Sequence, residues 1–460
     1  MPLPTIPSGN VASALGGGYD VANSCRFNDD DSAYMHITPG SNGNRQTFTI
    51  SVWLKRGTLG SDQVILGSSD GSFGNGMFLQ FQSDDTLRFG FQDPNQFKAT
   101  NRVFRDCSAW YNIIVAVDVN EASNSDRVKI YVNGTQETSF GTDNTMTDVD
   151  KDWNNTQKHA IGRSGDYDSK YFDGYLAEVV NIDGQQLAAT SFGEFDEDSP
   201  TIWKPIDVSG LTFGTNGFYL DFEASDNLGN DANGGTDLTE SGLAAADQAT
   251  DTPTNSFCTI NPLYKWYATA TLSEGNCKVV DTSGGWAGAK GTMAVSTGKW
   301  YWEIKLSGTM ANHQHGVQEI NVEGAAAINP GNLTGTTSFY NHDGGETIID
   351  GSASTSDYGV LGSGDILGIA LDMDAGSYGQ FTIYDQNSAI ASNINLSSSS
   401  DYVIPASFIL SCTAEFNFGG CSSFTISSAA NDENGYGNFE FAPPSGYLAL
   451  CTKNLGSDGG

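Results

Sequence analysis

Residues 160–187 read AIGRSGDYDSKYFDGYLAEVVNIDGQQL, and this stretch decides the fold class. It divides into a short apolar strand, a polar loop and a second strand. In YFDGYLAEV (171–179), aromatic or aliphatic residues alternate with small or polar ones. That alternation is the period of a β-strand with one buried face. The stretch therefore predicts a pair of strands in a half-buried sheet.

Three further patterns lie before this stretch. FTISVWLKRG (48–57) and WYNIIVAVDVN (110–120) are rich in Val, Ile and aromatic residues, which favours central strands. RVKIYVNGTQE (127–137) is typical of a hairpin, because Asn-Gly supplies the positive φ angles of a type I′ turn. Together with the opening stretch, these motifs resemble laminin-G-like and pentraxin domains, relatives of concanavalin A. The resemblance implies a two-sheet jelly roll that binds sugars or proteins and seldom performs chemistry.

The second half of the chain carries a different set of strand motifs. GKWYWEIKLSG (298–308), SGDILGIALDMDAGSYGQFTIYDQN (363–387) and IPASFILSCTAEFNFGG (404–420) resemble the strands of SPRY domains. The resemblance implies a second β-sandwich that binds through its loops. Two segments depart from that family, HGVQEINVEG (315–324) and Asp385-Gln386, so no specific ligand loop carries over.

These patterns predict an all-β protein of two antiparallel jelly-roll sandwiches. We expect an irregular N-terminal arm over residues 1–24 and a laminin-G-like sandwich over 25–191. Residues 192–262 are dominated by Asp, Asn, Gly and Thr, and predict a linker with a little β structure. A SPRY-like sandwich with a C-terminal tail is expected over 263–460.

Charge and composition exclude several classes of function. The chain has 55 acidic and 21 basic residues and a formal net charge of −34, so it repels nucleic acid and anionic membranes. No stretch approaches the roughly 20 apolar residues of a membrane span, and the first residues do not resemble a secretory signal. Seven scattered cysteines predict free, buried thiols, with only Cys412 and Cys421 close enough in sequence to form a local pair.

The order of the parts carries a further resemblance. FGTNGFYLDF (213–222) lies between the two sandwich patterns, and FEFAPPSGYLALCTKNL (439–455) ends the second. This arrangement resembles virion proteins of tailed phages. It implies a protein of the virion surface whose partners are its own copies, other virion proteins and host glycan. A homo-oligomer is expected, with a trimer favoured, because fibre and decoration proteins are usually symmetric.

Three functions follow from these resemblances. The first is a non-enzymatic tail fibre or receptor-binding component that binds host cell-surface carbohydrate. The second is an architectural capsid decoration or tail adaptor without glycan binding. The third is a polysaccharide depolymerase. The sequence favours the first.

Aromatic residues in polar loops are the candidates for sugar binding. Sugars stack their CH faces on exposed Trp and Tyr rings. The residues that lie in Asn-, Asp- and Gly-rich stretches are Trp153, Tyr167, Tyr171, Trp286, Tyr340 and Tyr358.

Acidic loops are the candidates for a calcium ion. Asp148 to Asp152 begin like an EF-hand, but Trp153 stands where that loop needs Gly and His159 where it needs Glu, so an EF-hand is excluded. A looser Ca²⁺ site would use loop carboxylates of the first sandwich. Asp166 and Asp168 are the first ligands expected, because they lie in the loop that leads into the FDG strand.

Two further patterns are candidates for catalysis or transition-metal binding. Glu194, Asp196 and Asp198 alternate like the acids of laminarinase-type glycosidases, but the third acid is Asp and Ser199-Pro200 ends any strand. We therefore expect a solvated segment and no enzyme. His313 and His315 place two imidazoles on one strand face without a visible third ligand, and zinc sites need three or four.

Overall fold

The computed structural model describes residues 18–71, 76–91, 95–165, 168–264, 270–320, 337–341, 344–396 and 401–458. The chain forms two compact units, which divide between Thr254 and Asn255. Both are built from antiparallel β-sheets, as the sequence predicts. Among the described residues, no helix has the length and apolar character needed to cross a membrane.

The first unit contains two large sheets, a small hairpin and short helical turns. Its elements are β1 Ser24–Phe27, β2 Tyr34–Ile37, β3 Thr47–Arg56, β4 Gln63–Ser69, β5 Met77–Phe81, β6 Thr86–Phe91, β7 Gln96–Val103, β8 Tyr111–Asp118, α1 Asn124–Arg127, β9 Val128–Val132, β10 Thr135–Gln136, β11 Phe140–Asp143, β12 Lys158–Ile161, β13 Gly174–Asp183, β14 Gly193–Phe195, β15 Trp203–Pro205, β16 Phe218–Leu220, β17 Thr239–Ser241 and β18 Gln248–Ala249, with 3₁₀ turns at Ala189–Ser191 and Ala245–Asp247.

The two large sheets of the first unit form a sandwich. One has the strand order β10-β9-β8-β3-β13-β1-β18, and β16 pairs with the part of the β13 edge that β1 leaves uncovered. The other has the order β11-β7-β6-β5-β4-β12-β2-β17. Alternate residues of both sheets, such as Ile50 and Val52 on β3 and Leu79 and Phe89 on the facing sheet, form one buried core.

The strands and the hairpin predicted for this unit are confirmed. FTISVWLKRG contains β3, WYNIIVAVDVN contains β8, and the FDG motif leads directly into β13. Asn133 and Gly134 have φ angles of 47° and 73°, so both turn residues have the positive φ that a type I′ hairpin requires.

The sequence predicts a linker over residues 192–262, but residues 192–254 of that segment are part of this sandwich. They supply β16 to the first sheet, β17 to the second and β18 beside β1. The segment also contributes apolar side chains to the core, namely Phe218, Leu220, Phe222, Leu228 and Leu238. The compact unit therefore continues to Thr254 rather than ending at residue 191.

The second unit is a separate pair of sheets. Its elements are β19 Thr271–Ser273, β20 Lys278–Val280, β21 Ala287–Lys290, β22 Lys299–Gly308, β23 His313–Glu319, β24 Thr337–Asn341, β25 Glu346–Ile349, β26 Ser352–Ala353, β27 Ile366–Asp372, β28 Gln380–Asp385, β29 Ser388–Asn395, β30 Val403–Ile409, β31 Cys412–Asn417, β32 Leu448–Ala449 and α2 Thr452–Asp458, with a 3₁₀ turn at Met310–Asn312.

The core of the second unit lies between its two sheets. One sheet has the order β19-β20-β31-β22-β27-β28-β29, with β32 also paired to β22, and the other has the order β21-β30-β23-β24-β25-β26. On β22, Trp300, Trp302 and Ile304 point into the core, while Tyr301 and Glu303 lie on the opposite face of the strand. The three SPRY-like motifs therefore form strands, as predicted.

All seven cysteines are free and buried, which confirms the prediction of free thiols. Cys412 and Cys421 do not form the local pair that their spacing allowed.

Candidate functional site

The candidate site lies on the outer face of the second sheet of the first unit, where β2 and β12 are neighbours. His36 pairs with Ala160, and Met35 pairs with Ile161. Met35 and Ile161 belong to the core, so Tyr34 and His36 project from the opposite face. Positive φ at Gly162 (88°) then ends β12 and turns the chain into the loop that leads to the FDG motif.

That loop brings an arginine against two tyrosine rings. The guanidinium carbon of Arg163 lies 3.7 Å from the ring centroid of Tyr34 and 5.8 Å from that of Tyr171. Its Nη1 donates to the Tyr171 hydroxyl at 3.1 Å and to the Asp168 carboxylate at 3.2 Å. The Tyr171 hydroxyl in turn donates to the same carboxylate. We call these residues, with His36 5.5 Å from Tyr34 between ring centroids, the loop cluster.

Burial is graded within the loop cluster. Arg163 is only 6% exposed, whereas the side chain of Asp168 is 81% exposed, and Tyr34, His36 and Tyr171 are half-buried. Burial raises the pKa of Tyr171, and its bond to the Asp168 carboxylate acts in the same direction. The phenol therefore stays neutral at pH 7 and remains able to donate.

This combination suits a sugar better than it suits a reaction. Half-exposed rings offer a surface for the CH faces of a pyranose, and the carboxylate and phenol can exchange hydrogen bonds with its hydroxyl groups. Arg163 is already stacked and bonded, so it orders the rings before any ligand arrives. The sequence missed Tyr34, His36 and Arg163, although the alternation of Tyr34 and His36 with Met35 was a readable signal.

The other predicted sugar-binding residues of the first unit are not added to this cluster. Trp153 is buried: its ring lies 4.3 Å from that of His159, and its Nε1 donates to Asn181 at 2.9 Å. Contrary to the prediction, its ring is therefore not available to a sugar. This polar loop is internal because its polar groups form hydrogen bonds with other buried polar groups. Tyr167 lies outside the described residues.

In the second unit, Tyr340 also contradicts the prediction. It is buried, and its hydroxyl donates to the carbonyl of Gly359. Tyr358 and Trp286 are half-buried, the first packed on the main core and the second against Phe408. These residues do not form a shared exposed surface in the way that Tyr34 and Tyr171 do.

The predicted calcium ligands have a different setting from the one expected. Asp168 is an ion-pair partner of Arg163, and Asp166 lies outside the described residues. Within the described ranges, no group of three or more His, Cys, Asp or Glu side chains is arranged to hold a metal ion. The calcium site stays a prediction.

The patterns considered for chemistry also have local partners. Lys204 lies 3.3 Å from the Glu194 carboxylate and 3.5 Å from that of Asp196, across the β14–β15 hairpin. His313 Nδ1 lies 3.1 Å from His315 Nε2, and His315 Nδ1 lies 2.8 Å from the Ser407 hydroxyl. Each pattern is thus engaged in hydrogen bonds or ion pairs within its own unit.

Comparison with known families identifies part of the first sandwich. Residues 29–184 match the model of the laminin-G family described as the concanavalin A-like lectin/glucanases superfamily. This range contains the loop cluster and most of the first sandwich. No curated protein matches the sequence.

Solved structures give more distant likenesses. The SPRY domain of human HERC1 is 14% identical, with 36% of this chain and 99% of that chain covered and a TM-score of 0.30. A Bacteroides ovatus structure described as a "putative carbohydrate binding protein" is 17% identical, with 48% and 58% covered and a TM-score of 0.32. The heptameric SAP-like pentraxin of Limulus polyphemus is 13% identical, with 37% and 80% covered and a TM-score of 0.29. Identities and TM-scores in this range assign no function.

Proposed function

We propose that this chain is a non-enzymatic surface protein of a tailed-phage particle that binds host envelope carbohydrate. The loop cluster is the observation that carries the carbohydrate part. Tyr34 and Tyr171 present ordered, half-exposed rings beside the exposed carboxylate of Asp168. The match of residues 29–184 to the concanavalin A-like superfamily supports the same class of ligand.

The virion part rests on the sequence. The order of the two sandwich patterns, with FGTNGFYLDF between them and FEFAPPSGYLALCTKNL at the end of the second, supports a particle-borne fibre or decoration protein. Several copies on one particle would multiply weak single-site affinities, because linked sites raise the effective concentration of each other. A symmetric homo-oligomer, with a trimer favoured, belongs to this proposal.

The binding part is tested with two variants of the full chain and one control variant. Tyr171→Ala and Tyr34→Ala each remove one ring of the loop cluster, and Tyr131→Ala removes a half-exposed tyrosine from β9 of the other sheet. Binding to an array of bacterial lipopolysaccharide and capsule glycans should fall about tenfold for the first two, since a stacked ring contributes about 1–2 kcal/mol. Tyr131→Ala should leave binding unchanged. Equal binding by all three variants would show that the loop cluster is not the binding site, and absence of glycan binding by the unaltered chain would favour the architectural role.

The virion part needs a separate measurement. Gold-labelled antibody raised against this chain should decorate intact particles, at the tail for a receptor-binding component or over the head for a decoration protein. Particles without label would overturn this part of the proposal and leave the carbohydrate part standing.

A further inference from the structure

A second polar residue on the same sheet face has an unusual setting. Arg88 lies on β6 between Leu87 and Phe89, which belong to the core, so its side chain projects from the outer face. Its guanidinium carbon lies 4.5 Å from the ring centroid of Phe78 and 3.8 Å from that of Phe97. The two rings therefore hold the guanidinium in one place.

A glycine on β6 permits the two rings to lie this close to the guanidinium. Gly90 pairs with Phe78 on one side and with Phe97 on the other, so it lies between the two rings in register. A Cβ atom at Gly90 would meet the Phe97 Cβ at 2.4 Å and the Gln96 carbonyl oxygen at 2.3 Å. Glycine at this position is what lets the second ring approach.

Arg88 also differs from most arginines of its unit, because among the described residues it forms no direct ion pair with an acidic side chain. Other arginines of the unit are ion-paired in a chain with 55 acidic residues: Arg26, Arg45, Arg56, Arg102, Arg105 and Arg163. Within the described ranges, Arg88 has no such pair, and its Nε is buried without a hydrogen-bond acceptor. Burial lowers the pKa of Arg88, and the charge of Asp62, which is itself ion-paired with Lys170, offsets only part of that shift.

The outer face connects Arg88 with the loop cluster. Phe78 pairs with Gly67, Gly67 with Ala160, and Ala160 with His36, so these residues form one row across the sheet. Four strand intervals separate β6 from β2, which is about 19 Å at the usual spacing. An oligosaccharide bound at the loop cluster can reach Arg88 at that distance.

We propose that Arg88, held between Phe78 and Phe97, is a subsite for an anionic group on the bound glycan, a uronate carboxylate or a sulfate ester. This rests on the proposed carbohydrate binding. A planar guanidinium offers parallel N–H donors that match the oxygens of either anion. Because the two rings already fix the guanidinium, little side-chain entropy is lost when the anion binds.

The test uses the full chain and three probes at 0.15 M NaCl. Tetragalacturonate supplies carboxylates, a sulfated dextran oligosaccharide supplies sulfates, and maltotetraose is neutral. At this ionic strength the screening length is about 8 Å, so repulsion between the anionic probes and distant acidic residues of the chain is largely screened. At least one anionic probe should bind more tightly than maltotetraose, and the one that does identifies the anion.

The variants separate the subsite from general charge. Arg88→Lys keeps the charge but loses the planar donors, and should weaken the anionic probe about tenfold or more. Phe97→Leu removes one ring and should weaken it by a smaller factor. Arg102→Lys, on β7 and ion-paired with Glu137, is the matched control and should change nothing. None of the three should alter maltotetraose binding.

The outcomes distinguish the two proposals. Binding of maltotetraose with no preference for either anion, or an unchanged affinity in Arg88→Lys, would overturn the Arg88 subsite and leave carbohydrate binding intact. Absence of binding to all three probes and to the glycan array would overturn both.

Discussion

The two units place a buried glutamate at the same point of their central strand and surround it differently. Glu178 is the fifth of ten residues in β13, and Glu303 is the fifth of ten in β22. In each sheet, two separate strands share one edge of this central strand, β1 and β16 in the first unit and β31 and β32 in the second. Each glutamate lies near the point where a strand from the C-terminal part of its unit, β16 or β32, pairs with that edge.

Glu303 has regular strand geometry and many donors. Its Oε1 accepts from the Tyr301 hydroxyl at 3.2 Å and the Phe441 amide at 2.8 Å, and its Oε2 accepts from the Glu440 amide at 2.9 Å and Asn417 at 3.1 Å. Burial raises its pKa to about 7 against these hydrogen bonds, which act to lower it. Glu303 therefore fastens the C-terminal segment to the sheet.

Glu178 has fewer donors and a strained backbone. Its φ is 48°, inside a bulge of β13 between Ala177 and Val180, and its Oε2 accepts from the hydroxyls of Tyr219 at 2.8 Å and Tyr19 at 3.3 Å. Burial raises its pKa to about 8. Backbone donors thus favour the charged carboxylate at Glu303, whereas two phenols leave burial dominant at Glu178 and the proton in place.

We expect the largest loss of stability at Asp251, whose buried ion pair holds residues 192–254 to the rest of the first unit. Asp251 accepts from Lys55 Nζ at 2.7 Å and from Trp110 Nε1 at 2.9 Å, and both partners are buried. Asp251→Ala should lower the free energy of unfolding by about 3–5 kcal/mol, because it removes a buried carboxylate from the buried Lys55 ammonium. Urea denaturation measures this, with Asp226→Ala, an exposed acid of the same segment, as the control. A loss below 1 kcal/mol in Asp251→Ala would show that the ion pair does not fasten the segment.

The next largest loss of stability is expected at Glu303, whose hydrogen bonds hold the C-terminal segment to the sheet of the second unit. Glu303→Ala leaves the amides of Glu440 and Phe441 without acceptors and should cost about 3 kcal/mol. Amide hydrogen exchange at these two positions should rise with it. Glu415→Ala, a half-exposed acid on β31, is the control and should leave the exchange unchanged. Unchanged exchange in Glu303→Ala would mean that the C-terminal segment is held by other contacts.

The pH dependence of the free energy of unfolding should differ between Glu178 and Glu303. A carboxyl whose folded pKa is raised stabilises the fold fully below its unfolded pKa, and this stability is lost as pH rises through the folded value. With folded pKa values of about 8 for Glu178 and about 7 for Glu303, the loss between pH 6 and 8 should be about 2 and about 1 kcal/mol. Glu178→Gln should therefore flatten the pH profile of unfolding more than Glu303→Gln does. Equal profiles in both variants would contradict the difference drawn between the two sites.

The sequence predicted the fold where hydrophobic alternation is continuous. β3, β8, β13 and β22 follow from long runs of alternating apolar residues, and the Asn133–Gly134 turn follows from its residue types. For residues 192–254 the sequence predicted only a little β structure in a linker, and not the place of its strands in the sandwich, because each strand is two or three residues long. Their burial depends on a neighbouring strand that local composition does not reveal.

The candidate site was predictable only in part. Tyr171 was predicted as a sugar-binding ring and Asp168 as a calcium ligand, and both lie in the loop cluster. Trp153 belongs to an equally polar stretch but is internal, because Asn154, Asn181 and Asp183 form hydrogen bonds around it that pair residues far apart in the chain. Polar composition marks an exposed loop and a buried polar network alike, so long-range pairing decides between them.

The smallest effects compare the two buried aromatic residues for which sugar binding was predicted. Trp153→Phe removes the bond to Asn181, and Tyr340→Phe removes the bond to the Gly359 carbonyl. Trp153→Phe should cost about 1 kcal/mol, because it leaves the buried Asn181 oxygen short of a donor while a ring stays in place. Tyr340→Phe should cost less, because Gly359 is exposed and water can replace the lost donor. Neither should change glycan binding, since neither ring reaches solvent. A loss of glycan binding in Trp153→Phe similar to that in Tyr171→Ala would place the ligand beside Trp153, at the part of β13 that contains Asn181. The loop cluster would then no longer be the site of recognition.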